Sequence, residues 1–310
     1  MGKILAVCCS EKKGTEKVNI GKGRLIENYG LEQDAHAGNW HRQISLLSFQ
    51  KIEDFRAKGA EVDFGAFGEN LIVEGIDFRS LPVGTKFYVN DVVLQLTQIG
   101  KECHNGCAIF QRMGDCIMPR EGVFARVLHG GEVEVGDEMR YELPTTDAPL
   151  TAAVITLSDK GYKGEREDKS GPAICEILKE NGYEIVETIL LPDEQVMLQK
   201  ELVRLSDQRQ VNLILTTGGT GFSDRDRTPE ATLKIADRNA PGIAEALRYH
   251  SMQITPRAML GRGASAIRKK TLIINLPGSE KAVRESMEYL MGNIEHGLKI
   301  MIGSASECGR

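Results

Sequence analysis

The sequence predicts two domains: a mostly β, barrel-like domain over residues 1–143 and an open, mostly parallel α/β sheet domain over residues 150–310. Three observations carry this reading. A chain of 310 residues is long for one hydrophobic core and suits two domains of ordinary size. A polar connector, LPTTDAP from Leu143, separates two stretches of different texture. Before it, short apolar runs alternate with glycine-, asparagine- and aspartate-containing turns, whereas after it strand-like and helix-like runs alternate.

In the first domain the strand candidates are KILAVCC, QISLLSF, ENLIVEG, KFYVND and VVLQLTQIG. Asn90-Asp91 stands between the last two and predicts a hairpin. One helix is expected over residues 49–58, and residues 113–127 suit either a helix or a strand. Many short strands with a single helix suggest a barrel.

In the second domain AAVITLS is the first strand, and Pro172 opens a helix that stops at Gly182. YEIVETILL is the next strand, followed by a helix over residues 194–208. VNLILTTGG and TLIINLPGS are near-continuous apolar runs, as strands buried on both faces require. Thr228-Pro229-Glu230 reads as a helix start with Thr228 as its cap, and two helical patterns follow over residues 280–290 and 293–302.

Charge is spread evenly: 17 basic and 21 acidic residues up to Leu143, 22 and 23 after it. Neither half offers the basic surface that nucleic acid binding needs. Charges follow the first short apolar run, and no apolar segment approaches the roughly 18 residues that cross a bilayer. A cytoplasmic protein with no nucleic-acid or membrane partner is the expectation. The seven cysteines are odd in number, with Cys8 and Cys9 adjacent and Cys103, Cys107 and Cys116 grouped. Structural disulfides are not expected from that pattern.

In an open α/β sheet, ligands bind beyond the carboxyl ends of the strands. Three loops occupy that position: residues 158–161, 216–221 and 275–279. The strongest is TTGGTG, whose glycines let backbone N–H groups approach a phosphate while Thr217 and Thr220 add hydroxyls. A tight turn without a ligand is the alternative. FSDRDRTPEAT follows directly and contributes Asp224 and Asp226, carboxylates whose place beside polyphosphate implies a divalent cation between them. Asp193 brings an acidic group from another strand end, or else caps the helix beginning near Glu194. Lys160, Arg225, Arg227, Lys269 and Lys270 are candidate phosphate partners. Neither the G-x-x-x-x-G-K-[ST] loop nor a G-x-G-x-x-G turn is present, which weakens ordinary ATPase and nicotinamide readings.

TLSD, LPDEQ, LTTGGTG, DRDRTPEAT and NLPG occur together and in order, and over residues 151 to about 302 the chain closely resembles molybdopterin adenylyltransferases of the MogA/MoaB family. The resemblance implies Mg²⁺-dependent transfer of AMP from ATP to the terminal phosphate of molybdopterin, release of pyrophosphate, and a homotrimer. It places the two catalytic acidic positions on Asp193 and Asp226, with Mg²⁺ held by Asp226, Asp193 and Asp224. Thr217, Gly218, Gly219, Thr220 and Gly221 would cradle phosphates, Ser158 and Asp159 would line the pterin side, and Pro277, Gly278 and Ser279 would complete the pocket. A molybdate-insertion protein and molybdoenzymes are the further partners it implies. A phosphate nucleophile is already ionised near neutral pH, so no strong base is needed, in keeping with a constellation that lacks histidine. The rival reading is a carrier or scaffold that binds molybdopterin without turnover.

From the residues of the first domain, Cys103-His104-x-x-Cys107 with Cys116, His36 and His41 suits a metal, a reactive thiol or simply buried cysteines. Asp34 and His36 either contact a ligand or stabilise a turn, while Glu69-Asn70 reads as holding a loop. GLEQDAHAG, RQISLLS, FGENLIVEGID, LPVG and QLTQIGKEC resemble the MOSC domain over residues 4 to about 141. That resemblance places the family's cysteine on Cys103 and implies handling of sulfur or of the molybdenum cofactor, including a Cys103 persulfide as sulfur donor. The proline that often precedes that cysteine is replaced by Glu102, which leaves the thiol chemistry open.

Overall fold

β1 (Gly2–Cys9) fixes the plan of the N-terminal unit, because it pairs with two different strands and so closes a barrel. The computed structural model describes residues 1–102 and 114–303 and divides into two units, Met1–Thr145 and Thr146–Arg310. In the first, β2 (Val18–Asn19), β3 (Lys22–Ile26) and β4 (Gly30–Leu31) precede β5 (Ile44–Ser48), α1 (Phe49–Arg56) and β6 (Leu71–Glu74). Then come β7 (Lys86–Val89), β8 (Val92–Ile99), α2 (Met118–Glu121), β9 (Val123–His129), β10 (Gly131–Glu134) and β11 (Glu138–Glu142). The ring runs β1-β6-β5-β9-β8-β7-β11 and returns to β1, a closed seven-stranded barrel. Only β5 and β6 are parallel neighbours, and α1 supplies the crossover that such a pair requires. Leu46, Val73, Phe78, Phe87, Leu94 and Val127 fill the interior. β7 and β8 form the hairpin expected at Asn90-Asp91, with Val89 facing Val92 and Asn90 at φ +50°. The ambiguous segment after Met113 becomes a short helix and then a strand, since β9 is paired on both sides by β5 and β8.

The second unit alternates strand and helix. It contains β12 (Thr151–Leu157), α3 (Asp159–Tyr162), α4 (Ser170–Glu180), β13 (Glu184–Leu191), α5 (Gln195–Val203) and β14 (Leu213–Thr217). These are followed by α6 (Thr228–Ile235), β15 (Arg238–Asn239), α7 (Pro241–Ile254), β16 (Ser265–Arg268), β17 (Thr271–Leu276) and α8 (Glu280–Ile302). The sheet order is β13-β12-β14-β17-β16-β15, parallel through β17 and antiparallel for the last two strands. Successive residues of the central strands point to opposite faces. Val154, Leu215 and Ile274 pack on one side against Ile174 of α4 and Met287 of α8. Ile155, Ile214 and Ile273 pack on the other against Leu198 and Leu202 of α5. Both faces are therefore covered, which is why these strands read as unbroken apolar runs.

Two helix boundaries differ from the sequence reading. α4 starts at Ser170, so Pro172 lies in its first turn rather than at its first residue. α8 is one helix of 23 residues instead of two, capped by Ser279 and ended by Gly303 at φ +82°. Leu290, Met291, Ile294 and Leu298 continue a single buried stripe past Gly292, and that burial outweighs the roughly 1 kcal/mol that a helical glycine costs.

The barrel unit buries a set of charged side chains. Lys17 and Asp34 form an ion pair with both side chains about 1% exposed. Asp34 also accepts from the Ser10 N–H (3.2 Å), the His36 N–H (2.9 Å) and Asn70 Nδ2 (3.2 Å). Its oxygens are thus committed to holding the 31–37 turn, and of the two roles considered for Asp34 the turn-stabilising one is observed. Glu69 is fully buried and accepts from the Gly65 and Phe67 N–H groups, both at 2.9 Å, so it does hold the adjoining loop. Burial pushes the Glu69 carboxyl up to about 7, against the pull of those N–H donors and of Lys17. Burial also raises the Asp34 carboxyl, but the bonds from His36 and Lys17 outweigh it and hold the group below the usual carboxylate range.

These opposite shifts separate by pH. Between its ordinary value of 4.5 and about 7, folded Glu69 keeps a proton that the unfolded chain releases, so barrel stability falls as pH rises through that window. The Asp34 contribution is constant there and is lost only in stronger acid. Urea unfolding followed at Trp40, the chain's single tryptophan, should give a midpoint that declines across that window in the wild type and stays flat in Glu69→Gln. A wild-type midpoint independent of pH there would show that Glu69 is ionised in the fold.

Candidate functional site

A cleft of about 980 Å³ opens at the carboxyl edge of the C-terminal sheet, where the loops after β12, β13, β14 and β17 meet. The turn after β14 is its floor. Gly218 and Gly219 adopt φ +94° and +64°, the left-handed region that glycine occupies without strain. A Cβ at Gly218 would stand 2.3 Å from the Leu157 carbonyl oxygen, and one at Gly219 would stand 2.3 Å from Thr228 Oγ1. Gly278 closes on the same turn, its Cβ position 3.4 Å from Gly218 Cα.

Hydroxyl groups fasten these loops. Buried Thr217 donates through Oγ1 to the Pro277 carbonyl (2.7 Å), joining the β14 and β17 loops. Thr228 donates through Oγ1 to the Gly218 carbonyl (2.9 Å), and its N–H reaches the Gly219 carbonyl (3.1 Å). Thr228 is accordingly a brace for the glycine turn rather than the cap of α6, whose N-cap position falls on Arg227 without a side-chain bond. Ser158 does cap α3, with Oγ accepting from the Gly161 N–H at 3.0 Å.

The acidic wall is built across two strand ends. Asp159 N–H donates to Asp193 Oδ2 (2.9 Å), and Asp193 N–H donates to Asp159 Oδ1 (3.0 Å). Asp193 therefore does not cap α5, and its Oδ1 would lie 3.4 Å from a Cβ on Gly219. Asp226 lines the same cleft, with Oδ2 accepting from the Ser223 N–H at 2.9 Å. Burial raises the Asp193 carboxyl, and the negative charges of Asp159 and Asp226 raise it further. Arg225 forks onto Asp159 and holds that carboxyl below its ordinary range.

Of the residues expected at the site, Ser158, Asp159, Asp193, Thr217, Gly218, Gly219, Asp226, Gly278 and Ser279 are brought together there. Thr220, Gly221, Asp224 and Pro277 do not line the cleft. Thr220 and Gly221 are strapped from outside by Arg262, whose N–H bonds the Thr220 carbonyl (3.0 Å) and whose Nε bonds the Gly221 carbonyl (2.7 Å). Asp224 is exposed, and its carbonyl accepts from Arg227 Nε at 3.0 Å. Lys160 and Arg225 line the cleft, whereas Arg227, Lys269 and Lys270 do not.

Sequence reasoning missed the start of α4. Asp168 accepts from Thr156 Oγ1 (2.7 Å) and from the Ser170 and Gly171 N–H groups (3.0 Å each), while Ser170 Oγ donates to the Gly278 carbonyl (3.0 Å). The signal was present as Asp168-Lys-Ser-Gly-Pro, an acidic residue just before a helix start.

Among the described residues no three His, Cys, Asp or Glu side chains converge as a metal cage. Asp193 and Asp226 instead offer two carboxylates beside glycines, with an added Cβ on Gly221 falling 2.8 Å from Asp226 Oδ2. Hard oxygen donors, few in number and facing open space, suit Mg²⁺, which is usually shared between one or two carboxylates and a substrate's phosphates. In the barrel unit Cys103, His104 and Cys107 lie outside the described residues. Cys116 is buried, and His41 Nε2 is 2.8 Å from Gln98 Oε1.

Residues 153–296 match the family model of a probable molybdopterin binding domain, and residues 33–140 match that of the MOSC domain. The chain is 40% identical over 158 residues to a protein named molybdopterin adenylyltransferase from Helicobacter pylori, covering 49% of this chain and 87% of that protein. It is 42% identical over 156 residues to the protein of the same name from Escherichia coli, covering 48% and 80%. The chain belongs to the MogA/MoaB family of molybdopterin-binding domains, joined here to an N-terminal MOSC domain. A crystal structure of the molybdopterin biosynthesis enzyme MoaB from Thermus thermophilus is 44% identical to the same half, covering 50% of this chain and 97% of that one, with a TM-score of 0.48.

The MogA/MoaB-like domain depends on an absent side chain at the centre of its cleft. Gly218→Ala should displace the turn from Leu157 and destabilise this domain by more than about 1 kcal/mol, since it combines left-handed φ with a backbone clash. Circular dichroism in urea, compared with wild type, measures it. An unchanged midpoint would mean that the turn has room for a methyl group.

Proposed function

We propose that the C-terminal domain is a Mg²⁺- and ATP-dependent molybdopterin adenylyltransferase. The observation that carries this reading is the placement of Asp193 and Asp226 on one cleft with the Gly218-Gly219 turn between their loops. The identity of 40–42% to proteins named for that activity supports it.

In the proposed reaction a terminal phosphate oxygen of molybdopterin attacks the α-phosphorus of ATP. The bond from that phosphorus to the bridging oxygen breaks, and pyrophosphate leaves with the electron pair. Gly218 and Gly219 let the phosphate chain approach the backbone, and Asp193 and Asp226 are the residues that would hold a divalent cation, which would supply positive charge beside the transferring group and pyrophosphate. Ser158 and Asp159 line the pterin side, and Ser279, at the start of α8, favours negative charge at that end of the cleft. We place the enzyme in the cytoplasm as a homotrimer that passes its product to a molybdate-insertion protein and so to molybdoenzymes. Among the described residues no helix is long and apolar enough to cross a membrane.

The purified full chain, given molybdopterin, Mg²⁺ and ATP, should form adenylylated pterin and pyrophosphate in equal amounts. Asp226→Asn keeps the shape of the side chain and removes its charge, and should lower the rate by about 100- to 1,000-fold with folding intact. Tight pterin binding without pyrophosphate release would favour a carrier instead. For the MOSC domain we propose a role in holding the molybdenum cofactor or its sulfur through Cys103. Intact-protein mass spectrometry should then find a gain of one sulfur atom that Cys103→Ala abolishes, and its absence after loading with a sulfur donor would remove the persulfide role.

A further inference from the structure

We propose that Arg225 is a positioning residue, whose guanidinium spans Asp159 and Glu194 and so clamps the loop bearing Asp226 against the strand ends bearing Asp193. The inference rests on the adenylyltransferase reading and deepens it.

Arg225 donates from Nε to Asp159 Oδ2 (3.0 Å), from Nη2 to Asp159 Oδ1 (2.7 Å) and from Nη1 to Glu194 Oε1 (2.8 Å). One side chain thus ties three loops: its own, the one after β12 and the one after β13. Asp159 is in turn locked to Asp193 by two reciprocal bonds, each from the backbone N–H of one to the carboxylate of the other. The connection therefore runs from Asp226 through its neighbour Arg225 and through Asp159 to Asp193. The guanidinium makes no hydrogen bond to Asp193 or Asp226. Asp193 and Asp226 each accept one backbone N–H, and among the described residues the second oxygen of each takes no protein hydrogen bond.

Arg225 and Glu194 are about half exposed and Asp159 about a third, so the clamp's contribution to global stability is small. Its effect is geometric. A planar fork can engage two carboxylates at fixed angles, which a lysine ammonium cannot reproduce. Position and charge also make opposite predictions. Removing a cation from a cluster of four carboxylates would strengthen attraction for a divalent ion if Arg225 were only a counter-charge, and would weaken binding if Arg225 sets the spacing of Asp193 and Asp226.

The test uses the full chain as wild type, Arg225→Lys and Arg225→Gln, with Mn²⁺ and α,β-methylene-ATP as probes. Free Mn²⁺ is read by electron paramagnetic resonance, and amide hydrogen exchange is followed over residues 219–226. Both variants should lose about 10- to 100-fold in Mn²⁺ affinity, the range for losing a residue that orients a metal ligand, and should exchange faster in that segment with or without the probes. The proposal is overturned if Arg225→Lys retains wild-type affinity and exchange, if Arg225→Gln binds Mn²⁺ more tightly, or if the wild type binds no Mn²⁺. Pyrophosphate release with ATP and molybdopterin is measured in parallel. Wild-type turnover with unaffected variants defeats the clamp alone; variants impaired in Mn²⁺ binding beside a wild type without turnover defeat the adenylyltransferase reading alone.

Discussion

The site rests on a steric constraint: the turn after β14 passes so close beneath the end of β12 that a side chain cannot be accommodated. The Gly218 Cβ position lies 2.3 Å from the Leu157 carbonyl oxygen, inside any permissible contact. Because the turn can press that closely, the loops of three parallel strands converge on one small volume. The hydroxyls of Thr217, Thr228 and Ser170 then fix it by bonds to the Pro277, Gly218 and Gly278 carbonyls. The Thr217 and Ser170 bonds join segments far apart in the chain, whereas the Thr228 bond closes the ten-residue loop on itself, so the cleft floor is preorganised by the sheet as well as by its own turn.

A rigid floor leaves polar groups available where a ligand would lie. Of the two threonine hydroxyls expected to meet phosphate, that of Thr217 is consumed in joining the β14 and β17 loops, which leaves backbone N–H groups and basic side chains such as Lys160 and Arg166 as candidate anion contacts. The acidic residues divide in the same way. Asp159 and Glu194 neutralise Arg225, whereas Asp193 and Asp226 keep an oxygen each for the cleft. Sequence spacing presents all of these groups alike, and only the cross-loop hydrogen bonds separate those that hold from those that face the ligand.

That division marks how far the sequence was legible. The two-domain plan, the closed barrel and the parallel sheet follow from local patterns of burial, which repeat every two or about 3.6 residues and can be read along the chain. The glycine turn was legible because few residue types serve that role, whereas the pairing of Asp193 with Asp226 came from the family resemblance, the residues alone leaving Asp193 open between a helix cap and an acidic wall. What escaped notice depends on distant partners. Thr220 and Gly221 have their carbonyls tied to Arg262, about forty residues later in the chain. Thr228 looked like a helix cap because its neighbours Pro229 and Glu230 fit one, yet the Gly218 carbonyl competes successfully for its hydroxyl. Asp168 and Ser170 join the site only because α4 packs where its first turn meets the β17 loop. Lys17 and Asp34 gave no hint of being buried together, since a buried ion pair has no periodicity.

The charge distribution constrains how a polyphosphate could enter. One wall carries Asp159, Asp193 and Asp226 with the Arg225 guanidinium among them, itself also paired with Glu194, and a bare triphosphate approaching it would meet net repulsion. Raising the Asp193 carboxyl by burial and by its acidic neighbours lessens that repulsion only in part, because the shift follows from the same crowding. A divalent cation travelling with the nucleotide would stand between the carboxylates and the phosphates and offset that repulsion locally. Lys160, Arg166 and Lys169 also line the cleft, interspersed with Asp159, Glu167 and Asp168, so they do not make the cleft basic as a whole. For the adenylyl transfer proposed above, a nucleotide would therefore have to bring its cation with it to meet this wall.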